Sequence, residues 1–146
     1  MKAIVQRVNK AKVIRSNDQK TVGEIGIGFL ILVGFKKGDN KKDVDVLADK
    51  ISKLRVMKDG EKKMNLSVLD TDSEILVVSQ FTLYANTNDG NRPSFFEAED
   101  PERAKHLYEL FVEKLKEKGI KTETGSFGDY MTIEAELDGP VTIIYG

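Results

Sequence analysis

Phe29-Leu30-Ile31-Leu32-Val33 is the stretch on which the fold turns. Five apolar residues in a row leave no polar face, so a strand made from them must be covered on both sides. Such a strand belongs in the middle of a sheet. Ile75-Leu76-Val77-Val78 has the same character and opens residues 74–83, which predict a second central strand. Outward from these two, residues 2–9 and 11–16 read as strands, followed by a turn at Asn17-Asp18-Gln19-Lys20. Residues 21–26 and 28–36 continue the sheet, with Gly26 and Gly28 marking a bulge or tight bend. In residues 130–137, Met131, Ile133, Ala135 and Leu137 alternate with Thr132, Glu134 and Glu136, the pattern of a half-buried strand. Asp138-Gly139-Pro140 predicts a turn, and Val141 to Tyr145 the last strand.

Two helices interrupt the strands. Asn40 caps the first, and Asp43 three residues on completes a variant capping box. Val44, Leu47, Ala48, Ile51 and Leu54 then form one apolar stripe. Asp100 caps the second helix, with Pro101 at its first position. Ala104, Leu107, Tyr108, Phe111, Val112 and Leu115 give its buried face, and Gly119 closes it. The expected fold is α+β: one domain over residues 1–146, a mostly antiparallel, barrel-like sheet with two helices packed on it.

Composition narrows the function classes. The chain has no cysteine, which removes disulfides and thiolate chemistry and fits a reducing, cytoplasmic setting. Its first residues read as a strand rather than a signal peptide, and no run approaches the ~18 apolar residues of a membrane span. The net charge of −1 gives no overall positive field, so any contact with nucleic acid must be local. Lys10, Lys12, Arg15 and Lys20 form one basic cluster, and Lys53, Arg55, Lys58, Lys62 and Lys63 another. Each reads equally as a solvated, mixed-sign surface.

Conventional catalytic equipment is absent. The one histidine, His106, falls off the apolar stripe of the second helix and points away from the core. Without a second histidine or any cysteine there is no His/Cys zinc site and no thiol nucleophile, and a serine–histidine hydrolase is not expected, since its base must lie within hydrogen-bond reach of the nucleophile. No metal or cofactor is expected, and no phosphate-binding glycine loop occurs. A hydrolase built on this chain must work by positioning and by polarising backbone N–H groups, with the substrate supplying the activating group. An ester with a free hydroxyl on the neighbouring carbon carries such a group. Ser79-Gln80-Phe81-Thr82, at the polar end of the second central strand, is a rigid place to present donors, although Ser and Thr there also suit an ordinary strand end.

Several short stretches, taken in order, resemble the D-aminoacyl-tRNA deacylases of bacterial type. They are Ile4-Val5-Gln6-Arg7-Val8, Gly23-Glu24-Ile25-Gly26, Leu30 to Gly34 and Lys63-Met64-Asn65-Leu66. Val77 to Leu83, Arg92-Pro93-Ser94-Phe95, Thr124-Gly125-Ser126-Phe127 and Asp138-Gly139-Pro140-Val141-Thr142 complete the set. The resemblance implies a homodimer with active sites at the subunit interface, acting on the aminoacylated 3′ end of tRNA. It implies that Gly139-Pro140 is a cis peptide reaching into the partner's pocket, where its carbonyls exclude L-amino acids. Ser79, Gln80, Phe81 and Thr82 then line the other wall, with the Phe81 N–H facing the developing oxyanion. Thr82 either orients the substrate or acts as nucleophile, and Arg7 braces the Gly139-Pro140 turn. Glycyl-tRNA, including that mischarged on alanine tRNA, should also be accepted, since glycine has no side chain to reject. A binding module that holds an RNA 3′ end without chemistry is the alternative.

Overall fold

The computed structural model describes residues 1–146. In chain order the elements are β1 (Lys2–Arg15), β2 (Lys20–Ile25), β3 (Gly28–Gly34), α1 (Lys41–Ser52), β4 (Met57–Lys58) and β5 (Met64–Leu66). There follow β6 (Glu74–Ser79), a 3₁₀ turn (Phe81–Tyr84), α2 (Pro101–Glu117), β7 (Thr122–Thr124) and β8 (Met131–Tyr145).

The apolar run sits where its composition requires. β3 pairs antiparallel with β1 and parallel with β6, so neither edge is free. Phe29, Ile31 and Val33 join the larger core beneath the two helices, with Val44, Ile51, Phe111 and Leu115. Leu30 points the other way, into a smaller core with Val8, Val13, Leu76 and Val78, and Leu32 packs against that cluster. Alternate side chains of one strand therefore serve two cores, which is what an uninterrupted apolar run permits.

β1 is the spine. Its first half pairs with β3 and its second half with β2, in one continuous antiparallel register broken only near Gly26 to Gly28 and by a bulge at Val13/Ile14. β8 runs antiparallel to β1 along nearly its whole length. β7 adds to β6 in parallel and curls the sheet back toward β2. At that seam a Cβ on Gly23 would lie 2.3 Å from the Thr124 carbonyl oxygen, so only glycine lets the two edges approach. The result is the barrel-like sheet with two helices that the sequence predicts. β4 and β5 form a separate small hairpin.

Local signals hold at the helices. The Asn40 side chain accepts from Lys42 N at 2.9 Å, and Asp43 accepts from Asn40 N at 2.9 Å, a full capping box. Pro101 occupies the first turn of α2, but the Asp100 side chain makes no capping bond. Gly119 follows the helix with φ +85°.

Several details differ from the sequence reading, among them the strand expected over 28–36, which ends at Gly34, and Leu54, which lies beyond the end of α1 at Ser52. Residues 2–9 and 11–16 are one strand, because β8 supports both halves from the same edge. The strand expected over 74–83 stops at Ser79, and residues 81–84 turn as a 3₁₀ helix. The turn expected at 138–140 lies inside a single long strand, as an outward bulge. Beyond Ile133 the expected apolar face of β8 opens to solvent, with Leu137 47% exposed.

Candidate active site

Ser79 closes β6 opposite Val33, and Gln80 N–H donates to the Val33 carbonyl at 2.8 Å, extending that pairing by one bond. The chain then turns sharply. Leu83 N–H donates back to Gln80 O at 3.3 Å and Ala85 N–H to Thr82 O at 3.0 Å. The N–H groups of Phe81 and Thr82 open this turn, where no earlier carbonyl within the turn can accept them. Ser79 and Gln80 are half-buried, while Phe81 and Thr82 are exposed. The Gln80 side-chain amide donates to the Thr82 hydroxyl and holds the two side chains together. From below, Lys2 Nζ donates to Leu83 O at 3.3 Å. At the side, the Phe95 ring meets Phe81 edge-on, centroids 5.0 Å apart.

Residues 79–84 themselves include no histidine and no carboxylate. Tyr84 is buried, and that burial, with Asp39 and Glu97 adding to it, pushes its phenol up to about 12. Tyr108, whose hydroxyl donates to Val77 O at 2.8 Å, is raised further by burial. Both remain neutral phenols near neutral pH. His106 is exposed on α2, and no cluster of three or more His, Cys, Asp or Glu side chains is placed to hold a metal ion. What the turn offers is backbone N–H groups on a rigid strand end, one amide and one hydroxyl.

Gly139-Pro140 is a cis peptide. It lies in the bulge of β8, where Gln6 pairs with Thr142 and Val8 with Leu137, so that residues 138–141 all stand opposite Arg7. Gly139 has φ +123°, and a Cβ there would lie 2.8 Å from Val141 Cγ2. Arg7 is 5% exposed. Its Nη1 donates to Val56 O at 2.7 Å, and its Nε lies 3.3 Å from the Asp138 carbonyl and 3.1 Å from the Asp138 carboxylate. Lys58 Nζ meets the same carboxylate at 2.9 Å. Asp138 is thus pinned by two cations immediately before Gly139.

Within one chain the two segments are not brought together. Gly139 faces Arg7, which aligns with Phe29 and then Ile75, whereas Ser79 lies four residues further along β6. Four strand rises along and three strand spacings across put them roughly 20 Å apart over the sheet. Arg7 belongs with Gly139-Pro140, and Ser79 to Thr82 form a separate group. An open surface cleft of about 490 Å³ adjoins the Gly139-Pro140 group, lined by Arg7, Lys58 and Asp138, and another of about 410 Å³ lies between Lys10, Lys12, Glu134 and Glu136. Neither is lined by residues 79–82.

Lys58 and Phe95 complete these groups and were not singled out as site residues by the sequence. Phe95 falls in a stretch that carries the family resemblance, the one available signal for it. Lys58 had none beyond its place in a basic cluster, since its partner is 80 residues away.

Comparison with known proteins bears on this arrangement. The family model described as D-Tyr-tRNA(Tyr) deacylase matches residues 4–146. The D-aminoacyl-tRNA deacylases of Thermotoga petrophila and Aquifex aeolicus are each 54% identical over 144 residues. These matches cover 99% of this chain and 95% and 96% of the relatives. A solved structure titled c-Myc DNA Unwinding Element Binding Protein superposes with TM-score 0.92 at 39% identity, covering 100% of this chain and 98% of that one. A probable eukaryotic D-amino acid tRNA deacylase superposes with TM-score 0.84 at 16% identity, covering 99% and 97%, and shares the fold.

Proposed function

The chain belongs to the D-aminoacyl-tRNA deacylase family, hydrolases that act on aminoacyl-tRNA, and from that premise we propose how its residues select and cleave the ester. Two copies associate so that Gly139-Pro140 of one reaches the Ser79–Thr82 turn of the other. The observation that carries this reading is the separation of the two segments within one chain. A site using both needs a second copy. β8 supports the same reading: it pairs only with β1, so its far edge is unpaired, and both Leu137 and Ile144 on it are exposed. A long, unpaired strand edge is a surface that natural sheets cover.

In the assembled site the Phe81 N–H faces the ester carbonyl as it becomes an oxyanion, and Ser79 and Gln80 shape the wall around the terminal adenosine. Thr82, tied to Gln80, orients the substrate. The ribose hydroxyl beside the ester directs a water to the carbonyl carbon. The carbon–oxygen bond to the ribose breaks, the proton passes to the departing ribose oxygen, and D-amino acid and tRNA separate. Main-chain oxygens at Gly139-Pro140, held by Arg7 and Lys58 through Asp138, occupy the space an L side chain requires. A D side chain points outward and is accepted, and glycine passes, including glycine mischarged on alanine tRNA. Selection by built-in clash discriminates without a tight fit to any one side chain.

The test is incubation with D-tyrosyl- and L-tyrosyl-tRNA. Loss of the D ester with the L ester intact is expected, and equal loss of both, or of neither, rejects the reading. Sedimentation at micromolar concentration should show a dimer, and a monomer that still cleaves only the D ester removes the two-copy site.

A second reading is favoured by the name of the 39% identical structure, which describes a DNA-binding protein. Here the chain holds a nucleic-acid 3′ end without chemistry. It predicts affinity for uncharged tRNA that falls steeply with salt, and no turnover.

A further inference from the structure

Phe96 is 80% exposed, in contrast to the half-buried Phe95 beside it. An isolated large aromatic on the surface needs no explanation by itself. This one has two further features. Lys37 Nζ lies 4.1 Å from its ring centroid, within the range of a cation–π contact. And the ring is joined to the Ser79–Thr82 turn through the next residue, since Phe95 packs edge-on against Phe81.

The segments carrying Lys37 and Phe96 are tied by the backbone. Lys37 N–H donates to Glu97 O at 3.0 Å, and Lys36 bridges to Ala98. Within the two tied segments the exposed charges are Lys36 and Lys37 against Glu97, because the Glu99 carboxylate is taken by Arg103 at 3.1 Å; further out, Arg92 is offset by the exposed Asp89 and Asp100. Two lysines therefore stand beside one largely exposed aromatic ring. An aromatic face with adjacent cations is the recognition chemistry of single-stranded nucleic acid: the ring stacks on a base and the cations meet the phosphates.

We propose that Phe96 and Lys37 form a stacking platform for the nucleotide preceding the terminal adenosine of the substrate tRNA. This rests on the deacylase reading, which puts the terminal adenosine at the Ser79–Thr82 turn. The platform is continuous with that turn through Phe81 and Phe95, so the next base along the single strand meets Phe96. Lys37, beside the ring, meets the phosphate joining the two nucleotides. The platform tells a tRNA end from a lone aminoacyl-adenosine, and it is blind to the amino acid.

Two measurements test it. The first is kcat/KM for D-tyrosyl-tRNA relative to 3′-D-tyrosyl-adenosine, compared between the parent protein and Phe96→Ala. The preference for tRNA is expected to shrink by about tenfold through KM, in line with the loss of one base–aromatic stack. Phe96→Leu, which keeps an apolar side chain without the ring, should behave like Phe96→Ala. An unchanged preference overturns the proposal. So does an equal fall on both substrates, or a Phe96→Ala protein that sediments as a monomer, which would make the ring part of a contact between copies. The second measurement is anisotropy of a fluorescent RNA ending in CCA, which needs no turnover. Affinity should drop about tenfold in Phe96→Ala and several-fold in Lys37→Ala, and affinity unchanged in both variants overturns the platform. If the parent protein leaves D-tyrosyl-tRNA intact, the deacylase reading fails, and the anisotropy still decides whether RNA stacks on Phe96.

Discussion

D-tyrosyl-tRNA ending in 2′-deoxyadenosine should be cleaved at least a hundredfold more slowly than the natural ester by the unaltered protein. The expectation follows from what the site lacks. The only histidine is exposed on α2, and Tyr84 is held as a neutral phenol. The turn supplies N–H donors, the Gln80 amide and the Thr82 hydroxyl. A positioned proton-transfer group contributes about a hundred- to ten-thousandfold. If the protein has none, that factor has to come from the ribose hydroxyl beside the ester, and deleting it removes the factor. Thr82→Ala gives the contrast. A threonine that only orients the substrate leaves measurable turnover of the natural ester, whereas a covalent nucleophile leaves none. Single-turnover rates with the two tRNAs and the two proteins decide between these schemes. Equal rates on natural and deoxy substrates would end the substrate-assisted scheme.

Replacing Arg7 with methionine is the second large effect, first on stability and then on chirality. Methionine keeps the apolar stem of the buried side chain but removes every donor. Val56 O and Asp138 O lose a charged partner, and the Asp138 carboxylate keeps only Lys58. Breaking a buried ion pair costs about 3–5 kcal/mol. Asp138 is 22% exposed and retains one cation, so the cost falls to the bottom of that range or just under it, about 2–3 kcal/mol. For a domain of this size each kcal/mol moves Tm by about 2–4 °C, so calorimetry should show a fall of roughly 4–12 °C. The bulge that Arg7 holds is also the one carrying Gly139 and Pro140. Once loosened, it should discriminate less, and L-tyrosyl-tRNA should begin to be cleaved. A variant that loses stability yet rejects the L ester as sharply as the parent would separate Arg7 from selection.

How far the sequence was legible depends on the distance over which each feature is determined. The capping box at Asn40 and Asp43 spans three residues, and it is formed in full. Asp100 stands at the right place, but its side chain makes no bond to the helix it precedes. The strand end at Ser79 was misplaced by several residues because Phe81-Thr82-Leu83-Tyr84 suits a strand by composition. What ends it is position: β3 ends at Gly34, and past Gln80 no partner remains to pair with. The alternation of residues 131–137 predicts a buried face, yet Leu137 is open because β8 is the last strand on its side of β1.

By itself the sequence determined that strands apolar on both faces must be central, that two amphipathic helices must cover them, and that cysteine and His/Cys metal chemistries are unavailable. These follow from residue type and short spacing, which a linear chain states directly. Only the tertiary structure decided that β3 and β6 run parallel, that residues 138–141 bulge out against Arg7 from 131 positions away, and that this bulge stands far from the Ser79–Thr82 turn on the same sheet. Those depend on which strands become neighbours and in what register. Many pairings satisfy the same apolar pattern, and the packed cores on both faces of β3 select among them.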